Sequence, residues 1–261
     1  TKTGLVLLLA SLFLIFCETG TALASQATSY TYTLDDNDDF VRTQDAYLPE
    51  RPITDLGLKN PQDLFIAKEN MLYIADSGNR RIIKYNIHEG RVEMELAHAG
   101  FTTPRGIFVT EAGDLYVADA GAKTVFRFSK EFELKEAFEK PDTPLFSDTN
   151  FEPNKIAVDK SGNMYIIGEG VYSGVIQLSH TGDFLGYFTV NKSKVNFSEA
   201  LQRLIFSREQ LENMLDVVPT TFSNVFLDHQ GIVYTTTMGD FRNAVKKHNT
   251  SDGNMFKETV F

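Results

Sequence analysis

The stretch that decides the architecture is Asn70-Met71-Leu72-Tyr73-Ile74-Ala75-Asp76-Ser77-Gly78-Asn79-Arg80-Arg81-Ile82-Ile83, because it comes back. Downstream the chain reads Gly113-Asp114-Leu115-Tyr116-Val117-Ala118-Asp119-Ala120-Gly121. Pro61 and Pro104, Tyr73 and Tyr116, Asp76 and Asp119, and Tyr85 and Phe128 are each 43 residues apart. A third unit keeps Pro153-Asn154-Lys155-Ile156-Ala157-Val158-Asp159 and Gly162-Asn163-Met164-Tyr165-Ile166-Ile167. A fourth, weaker one keeps Asn224-Val225-Phe226-Leu227-Asp228 and Gly231-Ile232-Val233-Tyr234-Thr235. A fixed period of this length marks a repeat architecture.

Each unit has one logic. A run of β-formers breaks at a Gly or Asn turn, and a second run ends in an aromatic and a small residue. A polar loop and a third run follow; in the third unit that run is Val175 to Leu178. His180-Thr181-Gly182-Asp183 then turns into a fourth run from Phe184 to Val190. Four antiparallel strands in 40 to 50 residues make a β-propeller blade. An isolated blade cannot bury both faces, and radial packing covers them. The sequence therefore predicts an all-β propeller of four-stranded antiparallel blades, four of them present.

The units resemble NHL repeats, whose pattern is Pro-x-Gly-(Ile/Val)-Ala-(Val/Ile)-Asp, then Gly-x-(Leu/Ile)-Tyr-Val-Ala-Asp, then Asn-x-Arg-(Ile/Val). The first unit matches at Pro61, Tyr73, Ala75, Asp76, Asn79, Arg81 and Ile82, with Asp63 where the family has Gly. The second matches at Pro104, Gly106, Gly113, Tyr116, Ala118 and Asp119, with Ala122 and Thr124 replacing the Asn and Arg. The third keeps Pro153, Ala157, Asp159, Gly162 and Tyr165 and loses the Asp-Asn-Arg loop. The resemblance covers residues 55–261 and implies a ring of six blades, closed by an N-terminal strand such as Tyr30–Leu34 or Phe40–Arg42. With four units counted, the chain is expected to be incomplete.

The remaining segments divide the chain further. Lys2 precedes an apolar run from Leu5 to Phe16, twelve residues. That is short of the roughly 20 needed to cross a bilayer as a helix. It suits the apolar core of a secretory signal, with cleavage after Ala24 in Ala22-Leu23-Ala24. Residues 1–24 are assigned to a signal peptide, 25–54 to an extended segment and 55–261 to the propeller, so the protein is expected to be secreted or at the cell surface. An uncleaved anchor is the competing reading. Between Tyr165 and Tyr234 lie 69 residues against 49 for the preceding interval. The surplus predicts helices over 196–218, with Phe197, Leu201, Leu204 and Ile205 at helical spacing and Leu211, Met214, Leu215 and Val218 on one face before Pro219. They are expected on the face that carries Asp76 to Arg81.

Composition removes several classes of function. The 261 residues hold 25 Lys plus Arg against 35 Asp plus Glu, a net charge of −10, which argues against a broad nucleic-acid footprint. The single cysteine, Cys17, allows neither an internal disulfide framework nor a cysteine zinc site. The five histidines, His88, His98, His180, His229 and His248, lack metal-ligand spacing, and no Gly-x-Ser-x-Gly elbow or phosphate-binding Gly loop occurs. Asp35, Asn37 and Asp39 alternate as in a calcium loop, but Phe40 and Ala46 stand where an EF-hand needs Gly and Glu, so a solvated hairpin tip is preferred. Three Asn-x-Ser/Thr sequons stand at Asn191, Asn196 and Asn249.

The candidate site follows from strand order. Residues that begin the inner strands line one channel mouth: Gln62, Asp63, Arg105, Asn154 and Lys155. Arg105 and Lys155 would place a positive spot there, suited to an anionic small ligand. Asp76, Asn79, Arg81 and Asp119 are assigned to loop bracing, with Asp and Asn capping a tight loop. The reading is a non-catalytic binding or scaffold module for a protein, peptide or carbohydrate ligand, with no catalytic residue, metal or cofactor assigned. The competing reading is a gluconolactonase-like hydrolase with a divalent cation in the channel, for which Asp63, Asn154 and Asn224 are the candidate ligands.

Overall fold

The structure is a computed structural model. It describes residues 30–45, 47, 52–146, 150–171, 173–189, 221–238, 244–248 and 255. Residues 1–24, expected as a signal peptide, residues 196–218, expected as helices, and the three sequons lie outside the described residues.

Two compact units emerge, one up to Leu56 and one from Gly57 onward. In the first, β1 (Tyr30–Leu34) and β2 (Phe40–Gln44) pair antiparallel with Leu34 opposite Phe40. The acidic segment between them is the hairpin tip. The Asp35 carboxylate accepts the Asn37 and Asp39 N–H groups, which holds its pKa below the ordinary carboxylate range. In sequence order β1 and β2 pair with each other.

The second unit is a series of antiparallel sheets. The first blade holds β3 (Pro61–Ile66), β4 (Met71–Asp76), β5 (Arg81–Asn86) and β6 (Arg91–Ala97). The second holds β7 (Pro104–Val109), β8 (Leu115–Asp119), β9 (Thr124–Phe128) and β10 (Leu134–Phe138). The third holds β11 (Pro153–Val158), β12 (Met164–Gly168), β13 (Val175–Leu178) and β14 (Phe184–Phe188). The fourth shows three strands among the described residues, β15 (Asn224–Leu227), β16 (Val233–Thr236) and β17 (Val245–His248). Strands run in simple up-and-down order, and the first strands β3, β7, β11 and β15 lie side by side, which makes them the inner strands of a propeller.

The blades cohere because strand alternation gives every sheet two apolar faces. The Tyr face of one blade packs on the aliphatic face of the next. Tyr73, Ala75 and Ile82 of the first blade meet Ile107, Val109, Val117 and Phe126 of the second. Tyr116, Ala118 and Val125 of the second meet Ile156, Val158, Ile166 and Ile176 of the third. Tyr165 and Ile167 of the third meet Val225 and Val233 of the fourth. Burying one such aliphatic side chain contributes roughly 1.5–3 kcal/mol. The contrast with β3 is informative. Ile107 and Ile156 are 2% and 4% exposed, whereas Leu64, at the same register position of the first blade, is 64% exposed. Among the described residues no blade covers the Leu64–Ile66 face.

The turns explain why strands break where they do. Between β11 and β12 the Asp159 carboxylate accepts the N–H groups of Ser161 and Asn163, and Gly162 takes φ +85°, which a side chain would strain. Asp228 does the same for Gln230 and Ile232 between β15 and β16.

Candidate functional site

The inner strands have two ends, and the structure gives them different chemistry. At their N-terminal ends lie the residues singled out by sequence. Three of the four inner strands, β3, β7 and β11, have an irregular register at the second residue, Gln62, Arg105 and Asn154 in turn, whereas β15 pairs without one. Regular pairing resumes at the next residue, Asp63, Gly106 or Lys155, opposite Ala75, Ala118 and Ile167. The Lys155 ammonium donates to the Asp63 carboxylate at 2.6 Å and to the Gln62 carbonyl at 3.0 Å. The other Asp63 oxygen accepts the Ile107 N–H at 3.0 Å. The third blade is thereby tied to the first across the second.

Gly106 allows this. A Cβ there would stand 2.7 Å from the Asn154 carbonyl oxygen and 2.9 Å from the Lys155 Cα, closer than a side chain tolerates. Asp63, at the position where the second blade has Gly106, thus has a physical account: its carboxylate bridges blades. Arg105 pairs with Glu169. Both cations expected to form a positive spot are therefore bound to carboxylates. Gln62 is exposed, and its amide donates to the Asn60 side-chain oxygen at 2.9 Å. Asn154 is half-buried. Of the three cation-ligand candidates, Asp63 already holds an ammonium and an N–H, and Asn224 uses its side-chain oxygen on the Val225 N–H.

The loops at the same end are joined by two fully buried carboxylates. Asp76 accepts the Lys59 N–H at 2.7 Å, the Asn79 amide at 2.8 Å and the Arg81 guanidinium at 2.8 Å, linking the loop entering β3 to the loop after β4. Burial pushes the Asp76 carboxyl up, but these three donors outweigh it and hold the pKa below the ordinary range. Arg81 continues to Glu95 at 2.9 Å. Asp119 plays the equivalent part with backbone donors alone, Thr102, Thr103 and Ala122, at 2.7–2.9 Å. In the third blade Gly168 stands opposite Pro153, as Asp76 stands opposite Pro61.

At the C-terminal ends of the inner strands the picture is different. A cavity of about 720 Å³ opens there, which sequence reasoning missed. Its apolar lining comes from Phe65, Phe108, Val158 and Phe226, near the ends of β3, β7, β11 and β15. Phe65 and Phe108 meet edge to face at 5.1 Å, and Phe226 is 57% exposed. The polar lining comes from the hairpin turns of three blades and includes Glu111, Asp114, Asp159, Lys160, His180, Asp228 and His229.

The carboxylates of this lining are committed. Asp114 binds Arg127 and Lys135, both at 2.7 Å. Burial pushes its carboxyl up, and those two cations bring it below the ordinary range. Asp159 and Asp228 cap their own turns, and the Ile232 and Gln230 N–H groups hold the Asp228 pKa low. Among the described residues no three His, Cys, Asp or Glu side chains converge as a metal site.

The signal for this cavity was present but scattered. Phe65, Phe108 and Phe226 stand directly opposite Tyr73, Tyr116 and Tyr234 in register, with Ala157 opposite Tyr165. The same repeat that marks the blades therefore places an aromatic side chain at one depth of the channel in three of four blades.

Two solved structures that align with this chain at a TM-score of 0.50 or more support the fold. The hydrazine synthase of Kuenenia stuttgartiensis aligns at a TM-score of 0.51 and 13% identity, over 82% of this chain and 53% of its own. A protein of unknown function from Bacteroides caccae aligns at 0.50 and 10% identity, over 88% and 74%. Virginiamycin B lyase from Staphylococcus aureus aligns at 0.48 and 11% identity, over 90% and 64%. The chain thus spans just over half of the hydrazine synthase chain and just under two thirds of the lyase chain. No protein-family model matches the chain, and no curated protein matches it.

Proposed function

We propose that this chain is an exported, NHL-type propeller that acts as a non-catalytic binding module for a protein, peptide or carbohydrate ligand, and that the ligand sits in the cavity at the C-terminal ends of the inner strands. One observation carries this reading. The charged residues at the opposite mouth are satisfied by one another across blades, whereas the cavity has an aromatic lining in which Phe65 and Phe108 are half-buried and Phe226 is 57% exposed. Aromatic side chains left open in a concave surface are favourable places for a ligand to bury apolar area. Export rests on the signal-like segment 1–24 and closure of the ring on an N-terminal strand; both belong to the proposal.

The test uses the full chain on peptide and glycan arrays. The reading predicts capture that is lost in Phe226→Ala and Phe108→Ala and kept in Gln62→Ala. Capture that survives both cavity variants and fails in Gln62→Ala would move the site back to the other mouth.

A further inference from the structure

The uncommitted polar groups of the cavity point to the ligand's chemistry, an inference that rests on the binding reading above. Asp114 is paired with two cations, Glu111 lies 4.0 Å from Lys68 on the rim, and the oxygens of Asp159 and Asp228 accept N–H groups of their own turns with no ion pair among the described residues. The bases are engaged differently. Arg127 is bound to Asp114 and Glu136. Lys160 donates one hydrogen bond, at 2.9 Å, to the main-chain carbonyl of His229, a neutral group, and makes no ion pair among the described residues. That contact reaches from the turn of the third blade to the turn of the fourth and sets the ammonium over the cavity rim with two further N–H donors. His180 and His229 line the same cavity, and their rings make no hydrogen bond among the described residues.

We propose that the part of a peptide ligand this cavity takes is an aromatic group bearing a carboxylate, as at a chain end, for which a small aromatic carboxylate is the probe. Its ring lies against Phe65, Phe108 and Phe226, and its carboxylate accepts from Lys160 with His229 and His180 beside it. A neutral aromatic would satisfy the floor and leave the Lys160 donors to water. A carboxylate satisfies both, and a charge-assisted hydrogen bond is about twice as strong as a neutral one.

The test is isothermal titration of the full chain with phenylacetate and with phenylacetamide, its neutral isostere. The proposal predicts that phenylacetate binds about tenfold more tightly, the worth of one charge-assisted contact. Lys160→Ala should abolish that difference by weakening phenylacetate more than phenylacetamide, and Phe226→Ala should weaken both. Phe226 is largely exposed, so its truncation leaves the fold intact, which the melting temperature of the variant checks. Equal affinities that both fall in Phe226→Ala overturn the carboxylate and leave the cavity as a binding site. Absence of binding by either compound overturns the proposal, and the arrays then judge the broader reading alone.

Discussion

Breaking the Asp63–Lys155 pair is the most informative perturbation of the architecture. The two side chains are 18% and 17% exposed, the ion pair is 2.6 Å long, and 92 residues separate the partners. Exposed ion pairs are worth about 0–1 kcal/mol, whereas removing one partner of a buried pair costs about 3–5 kcal/mol. This pair lies between those limits. Lys155→Met leaves the Asp63 carboxylate with the Ile107 N–H and water, so a loss of about 1–2 kcal/mol is expected. Asp63→Ala orphans that N–H as well as the ammonium, which raises the expected loss to about 2–4 kcal/mol. Urea unfolding of the wild type, both single variants and the double variant gives a coupling energy, expected at about 1–2 kcal/mol. Coupling below about 0.3 kcal/mol would refute the inter-blade tie and return both residues to the pool of ligand-binding candidates.

Two further outcomes follow from the packing and the carboxylates. Ile107→Ala, in the blade interface, should lower stability by about 2–4 kcal/mol, and Leu64→Ala, at the equivalent exposed position, by less than about 1 kcal/mol; comparable losses in urea unfolding would show that Leu64 is covered. Asp76 and Asp114 have pKa values held below the unfolded carboxylate value, so their contribution is complete above that value and is lost as pH falls through the folded values. The melting temperature should therefore decline below about pH 4, and Asp76→Asn should flatten part of that decline; a profile that is level down to pH 3 contradicts the assignment.

The blades were legible because their determinants are local. Pro61 and Pro104 open inner strands, Gly113 and Gly162 turn them, and Tyr73, Tyr116 and Tyr165 follow at fixed offsets, so a single chain scan finds the period. Even the third blade's outer strands fall where alternation and the His180–Asp183 turn put them. The site was less legible because its determinants are distant. Lys155 reads as an isolated cation until the fold sets it beside Asp63. Strand order alone brings the N-terminal ends of the inner strands together, and those residues drew the functional reading. The same geometry gathers Phe65, Phe108 and Phe226 at the other end. Apolar residues in strands read as core, and only their exposure separates a lining from an interior.

The most direct measurement is hydrogen–deuterium exchange on the full chain with and without saturating phenylacetate. The account predicts slowed exchange in the turns at 110–112, 159–162 and 228–231, with 62–63, 105 and 154–155 unchanged. Protection confined to 62–63, 105 and 154–155 would contradict it and place the binding site at the mouth where Asp63 and Lys155 meet.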